Sequence, residues 1–119
     1  MIKLEPYKPE QEAITGIQEL DMKINKETEE LLEKQYELNK RQLTLEQDQI
    51  QIKQKYEEQG VKYNNAKELA KQETIQQQEE ILEQEAIIEK IKHKIRMYKE
   101  ARKLQYAIID LTIAQQKTG

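Results

Sequence analysis

The sequence predicts an all-α fold, a long antiparallel two-helix coiled-coil hairpin that associates into a multi-helix bundle. First, the 119 residues include only three Gly and two Pro, while 36% are charged and 17 are Gln. Such a composition is typical of long helices. Second, one break near Gly60 separates two segments of similar length that contain almost no helix-breaking residue. Third, apolar residues recur at spacings of seven.

The first nine residues, MIKLEPYKP, differ from the rest because they combine apolar side chains with Pro6 and Pro9. Proline biases the residue before it towards extended backbone. Residues 1–9 are therefore predicted to form an extended arm, which either frays or docks on a neighbouring subunit.

Helix 1 is predicted over 10–59, where Pro9 suits a helix start and Gly16 could detach the first turn and a half. A turn is predicted over 60–65, because Gly60 can adopt the left-handed conformation that ends a helix. Asn65 with Glu68 resembles a capping pair, so helix 2 is predicted over 66–116. Residues 10–116 would then form a single elongated domain.

Helix 1 carries two apolar stripes. The first repeats every seven residues and comprises Ile17, Ile24, Leu31, Leu38, Leu45 and Ile52. The second lies two residues earlier in the repeat and comprises Met22, Tyr36, Leu43 and Ile50. Two residues correspond to about 200° around a helix, so the stripes should face nearly opposite sides. One stripe can pack on helix 2, and the other should contact a second copy or another helical protein.

Helix 2 has a regular stripe that includes Ile88, Ile91 and Ile95. Its carboxyl-terminal end is apolar almost all round, with an interface predicted at Leu104, Ile108 and Leu111. A two-helix hairpin cannot bury such a segment on every side. We therefore expect a homo-oligomer or a complex with a helical partner protein.

Charge predicts how the helices pair. Residues 90–103 contain seven Lys or Arg and one Glu, whereas 19–32 are mainly acidic. Folding the chain about residues 61–62 sets these segments side by side, within one chain or in an antiparallel dimer. The basic segment is then a counter-charge to helix 1, and nucleic-acid binding through 90–103 remains the alternative.

The sequence offers little for catalysis. It contains no Cys and no Ser, and its one histidine, His93, lies among lysines. Triads with a Ser or Cys nucleophile and thiolate metal sites are thereby excluded, and its three glycines stand alone rather than in a phosphate-binding loop. We expect no enzymatic activity, cofactor, metal or small-molecule ligand.

Two local resemblances suggest other roles. Gly60 in the turn and Tyr106-Ala-Ile-Ile-Asp110 in helix 2 resemble the WXG-type hairpins of type VII secretion, although Glu58 stands in place of their Trp. That resemblance implies a small partner or chaperone of a secreted protein, with Tyr106 and Asp110 as secretion signal. Residues 88–99 resemble the dimerisation helix of MerR-like regulators, but no winged helix-turn-helix precedes them.

The leading functional hypothesis is a non-enzymatic structural protein, a helical scaffold, spacer or connector in a virion or secretion apparatus. No apolar run is long enough to span a membrane, and no signal peptide is recognised at the start. We therefore expect a cytoplasmic location or a place in a larger assembly.

Overall fold

The computed structural model describes residues 8–118, with side chains for 10–117. It contains three helices, α1 (Lys8–Glu58), α2 (Tyr63–Glu73) and α3 (Ile75–Thr118), and this described range includes no strand. The predicted all-α helical hairpin is confirmed. Of the predicted arm, residues 1–7 lie outside the described residues, and Lys8 and Pro9 already belong to α1.

The chain divides into two compact units. Unit 1 holds the described residues up to Glu30 and those from Ile91 onwards, and unit 2 is Leu31–Lys90. Each unit therefore pairs a part of α1 with a later part of the chain. The single domain over 10–116 stays a prediction.

In unit 1, the start of α1 packs antiparallel to the end of α3. Ile17 and Ile24 of α1 and Ile95 of α3 are each at most 8% exposed. Arg102 Nη1 donates a 2.8 Å hydrogen bond to Asp21 Oδ1. This contact sets a residue of the basic segment beside the acidic stretch 19–32, as the charge pattern predicts.

In unit 2, polar contacts join the helices beside the buried Ile81 and Ile88. Gln49 Nε2 of α1 donates to Thr74 Oγ1, between α2 and α3, at 3.1 Å, and Tyr56 OH of α1 donates to Glu73 of α2. Between α1 and α3, Gln77 Nε2 donates to Asp48 Oδ2 at 2.9 Å, and Arg41 Nη1 lies 3.5 Å from Glu80 Oε2. The hydrogen bond to the Glu73 carboxylate raises the pKa of Tyr56.

Gly60 ends α1 as predicted. Its φ of 88° lies in the left-handed region, the N–H of Val61 bonds the Tyr56 carbonyl, and the N–H of Gly60 bonds the Glu57 carbonyl. This pair of bonds is the Schellman motif. The turn is shorter than predicted, because α2 already begins at Tyr63 after Lys62. Asn65 therefore lies inside the first turn of α2 and is not its cap.

The second predicted helix, 66–116, is divided at Thr74. This residue has φ −108° and ψ 15° and is 2% exposed. Its hydroxyl donates to the Ala70 carbonyl at 2.8 Å and accepts from the side-chain amides of Gln49 and Gln78. A threonine hydroxyl that bonds the carbonyl four residues earlier competes with regular helical geometry, and contacts from two other side chains hold it there.

Gly16 does not detach the first turns of helix 1. α1 runs without a break from Lys8 to Glu58, so the prediction of a separate short piece is wrong. A Cβ at Gly16 would lie 3.3 Å from Cδ of Gln105, near the end of a flexible side chain. Because α3 approaches α1 closely at this position, a small residue fits there without displacing the Gln105 side chain.

Gly60→Ala is expected to destabilise the fold by about 1 kcal/mol, because a Cβ strains the left-handed backbone although the space around it is open. Urea unfolding at fixed protein concentration measures this. Gly16→Ala is the matched control, and it should stabilise the helix by up to about 1 kcal/mol once the Gln105 side chain shifts. Equal effects at both positions would contradict this account of the turn.

Thr74→Val should cost about 1–2 kcal/mol, since the amide of Gln49 loses its acceptor inside the packed seam. Adding Gln49→Leu should recover most of that loss, because both polar groups are then gone. The free energy of unfolding of the two variants checks this. If the double variant is no more stable than Thr74→Val, the hydrogen bond is not the reason for the loss.

Candidate interaction faces

The first stripe of α1 lies at the seam between the helices. In unit 1, Ile17 and Ile24 are 8% and 7% exposed. In unit 2 the stripe is half-buried, at Leu31, Leu38, Leu45 and Ile52. The facing stripe is buried as well, at Ile88 in unit 2 and at Ile91 and Ile95 in unit 1. These predicted interface residues therefore join the helices of one chain.

The second stripe of α1 points to solvent. Met22 in unit 1 is 73% exposed, and Tyr36, Leu43 and Ile50 in unit 2 are 53–62% exposed. The predicted opposition of the two stripes therefore matches the pattern of burial in each unit. An apolar series at regular spacing remains uncovered by the chain itself.

The end of α3 presents a second uncovered series, here called the α3 face, which consists of Met97, Leu104, Ile108 and Leu111. Their exposed fractions are 58%, 67%, 39% and 61%. Thr112, in the same stretch, is buried, and Ile109 is half-buried. One side of this segment is thus packed against the chain, and the other side exposes apolar side chains. This agrees with the prediction that a two-helix hairpin cannot bury the segment on every side.

Two of the grooves between the helices of unit 2 lie on opposite sides of the seam. One, about 320 Å³, is lined by Ile50 and Lys53 of α1 and by Tyr63, Lys67 and Lys71 of α2. The other, about 280 Å³, is lined by polar residues together with Ile81, namely Lys40, Arg41, Thr44, Gln77 and Glu80. The two sides of unit 2 therefore differ in character.

Most exposed apolar residues of unit 2 lie on the outer surface of α1 or on the side of the first groove, whereas Ile87, seven residues after Glu80, lies on the side of the second groove. Leu32, Tyr36 and Leu43 lie on the same side of α1 as Ile50, because each is separated from Ile50 by close to a whole number of helical turns. On α3, Ile75 and Leu82 lie seven residues apart and therefore share one side of the helix. Leu82 lies about 200° around the helix from Glu80, which lines the second groove, so it faces the other side. The unit 2 face, as we call it, consists of these six residues, Leu32, Tyr36, Leu43, Ile50, Ile75 and Leu82, each 51–63% exposed.

Sequence reasoning missed half of the unit 2 face. It did not single out Leu32, Ile75 or Leu82, all of which are more than half exposed. The seven-residue spacing of Ile75 and Leu82 was an available signal.

The basic segment 90–103 is tied to α1 at two points of unit 1. Arg102 pairs with Asp21 at 2.8 Å, and Lys23 Nζ lies 5.7 Å from the ring centroid of Tyr98. Lys94, Arg96 and Lys99 are exposed. The segment thus acts partly as a counter-charge within the chain, while several of its cations reach solvent.

The residues of the secretion-type motif are accessible. Tyr106 is 50% exposed, and Asp110 is also exposed. They lie four residues apart on α3, so both side chains point to one side of that helix. The geometry brings the two residues together without showing what they contact.

Among the residues that the structure describes, no group of three His, Cys, Asp or Glu side chains is placed to hold a metal ion. In the same part of the chain, no helix is both long and apolar enough to cross a lipid bilayer. His93, the one histidine, is exposed on α3.

No protein family, curated protein or solved structure was found to match this chain.

The contrast between the two stripes of α1 can be tested with two residues of unit 1 that lie two positions apart, Met22 and Ile24. Ile24→Ala should cost about 2–4 kcal/mol, because it leaves a cavity in the seam, whereas Met22→Ala should change the stability of the isolated chain by less than about 0.5 kcal/mol. Urea unfolding at low protein concentration measures both. A larger loss for Met22→Ala than for Ile24→Ala would show that the two stripes are assigned to the wrong sides.

Proposed function

We propose that the chain is a non-enzymatic assembly protein, a helical scaffold, spacer or connector that self-associates through coiled-coil contacts. The observation that supports this proposal is the regular series of large apolar side chains left exposed on both α1 and α3. We propose no catalytic role, since the chain contains neither Cys nor Ser.

The exposed series is more than the scattered apolar surface of ordinary proteins. Single exposed apolar residues are normal, but contiguous patches beyond a few hundred Å² mark interaction sites. Each Å² of apolar surface removed from water contributes roughly 25 cal/mol, from which the loss of translational, rotational and side-chain freedom on association is subtracted. Several half-exposed Leu, Ile, Met and Tyr side chains on one surface therefore favour association.

The α3 face has the spacing that coiled coils use. From Met97 through Ala101, Leu104, Ile108 and Leu111, apolar residues alternate at intervals of four and three. This alternation lets side chains of one helix fill the holes of another. Lys94 and Gln115 occupy the next positions of the repeat, so the apolar series is bounded at both ends. A contact of about four turns is expected.

Ile108→Asp and Leu111→Asp should each lower the mass of the assembly while the helix content is retained, because a carboxylate on the α3 face must lose its water on association. Light scattering across a concentration series measures the mass, and circular dichroism controls for folding. Asp110→Asn, on a different side of α3 from this face, is the control. If both aspartate variants keep the native mass, this face is not an interface.

The mass of the native chain separates this proposal from the alternative. A fixed multiple of 14.2 kDa is expected for a scaffold that self-associates. A mass of one chain together with high helicity would contradict self-association. It would favour a different helical protein as partner, as the resemblance to the WXG-type hairpins implies.

A further inference from the structure

We propose that the unit 2 face binds the same face of a second copy of this chain, in antiparallel orientation, about a two-fold axis that passes near Leu43. This inference rests on the proposed function and deepens it, because it names an interface, its partner and its geometry. It uses residues of unit 2 alone and is independent of the α3 face.

The apolar residues are arranged symmetrically about Leu43. Tyr36 and Ile50 lie seven residues before and after it on α1, about 10 Å in each direction. A half-turn rotation about Leu43 therefore places Tyr36 of one copy on Ile50 of the other, and Leu43 on Leu43. An isologous contact requires this kind of self-complementarity.

The residues of α3 obey the same symmetry. The Arg41–Glu80 and Gln49–Thr74 contacts fix which parts of the helices lie at the same level. Leu82 therefore lies a little beyond the level of Arg41, and Ile75 lies close to the level of Gln49. These two residues flank the level of Leu43 at similar distances, so the rotation also places Leu82 of one copy near Ile75 of the other.

Charge selects the antiparallel orientation. Lys67 and Lys71 line the groove of the unit 2 face on the turn side of Ile75. Glu85 and Glu89 follow Leu82 by three and seven residues, on the same side of α3. The rotation sets the lysines of one copy opposite the glutamates of the other, and it does so twice. A parallel contact lacks this pairing of the two lysines with the two glutamates, so opposite charge favours the antiparallel orientation.

The available area suits a stable dimer. The part of α1 in unit 2, residues 31–58, is about 40 Å long. Two packed helices are about 20 Å wide, so the whole side of unit 2 that carries this face measures about 800 Å², which is the share of one partner in a standard interface. The opposite side of unit 2 carries the Arg41–Glu80 ion pair and the Gln77–Asp48 hydrogen bond, so its polar groups already contact each other within the chain.

Reciprocal charge reversal tests this geometry. All copies carry Leu111→Asp to remove the α3 face. One variant adds Lys67→Glu and Lys71→Glu, and a second adds Glu85→Lys and Glu89→Lys. Each variant alone sets like charges together at both ends, and its dimerisation should weaken by roughly tenfold or more. A one-to-one mixture restores opposite charges at both ends, so a mixed dimer should form.

Native mass spectrometry reads out the mixed dimer when one variant is isotope-labelled, because Lys and Glu have almost the same mass, and circular dichroism confirms that each variant is folded. Lys62→Glu, on the exposed segment before α2, is the matched control and should leave dimerisation unchanged. Mixed dimers in clear excess over both homodimers would support the proposal. Homodimers of each variant at the level of the parent would overturn it.

The parent chains separate the two proposals. If the native chain associates and the Leu111→Asp parent does not, the α3 face alone assembles the protein and this inference is overturned while the proposed function stands. If the native chain itself has the mass of one chain at every concentration, the proposed function fails and the unit 2 face is left to a different helical protein. That outcome also overturns the inference.

Discussion

The narrowness of a two-helix seam is the constraint on which the other features depend. A helix can turn only about a third of its circumference towards one neighbour. In unit 1, Ile17 and Ile24 of α1 and Ile95 of α3 fill that sector and are nearly inaccessible. Every further apolar residue on these helices must face outwards. Met22 and Leu104, 73% and 67% exposed, are therefore a consequence of the fold and not exceptions to it.

The same constraint explains the polar character of the seam in unit 2. With few buried apolar side chains, the helices are joined in part by Gln49–Thr74 and Asp48–Gln77 hydrogen bonds. Such bonds contribute little net stability but strongly penalise a shifted pairing, because each buried group would then lose its partner. Specific pairing of the helices thus comes from polar groups, while the larger apolar side chains stay available to a second molecule.

The local and periodic features could be predicted from the sequence, and the features that depend on distant partners could not. Repeats of seven place Ile24 inward and Leu43 outward, and the lone Gly60 marks the left-handed turn, because spacing and backbone preference act within a few residues. The break at Thr74 depends on Gln49, 25 residues away. The unit 2 face likewise appears only when Leu82 is placed beside α1, which needs the pairing of the helices.

If both proposed faces bind second copies of the chain, they have a consequence for assembly that neither has alone. An isologous contact through the unit 2 face closes on itself in a dimer, and so does one through the α3 face. When both operate, each chain has two different partners. The product is a closed four-chain assembly if the two-fold axes intersect at right angles, a larger closed assembly if they intersect at certain smaller angles, and an open array otherwise. A chain with one face removed should stop at the dimer in every case. The size of the assembly with both faces intact therefore distinguishes a closed complex, as a connector forms, from an array that grows, as a scaffold does, while single-face variants show that each face is used.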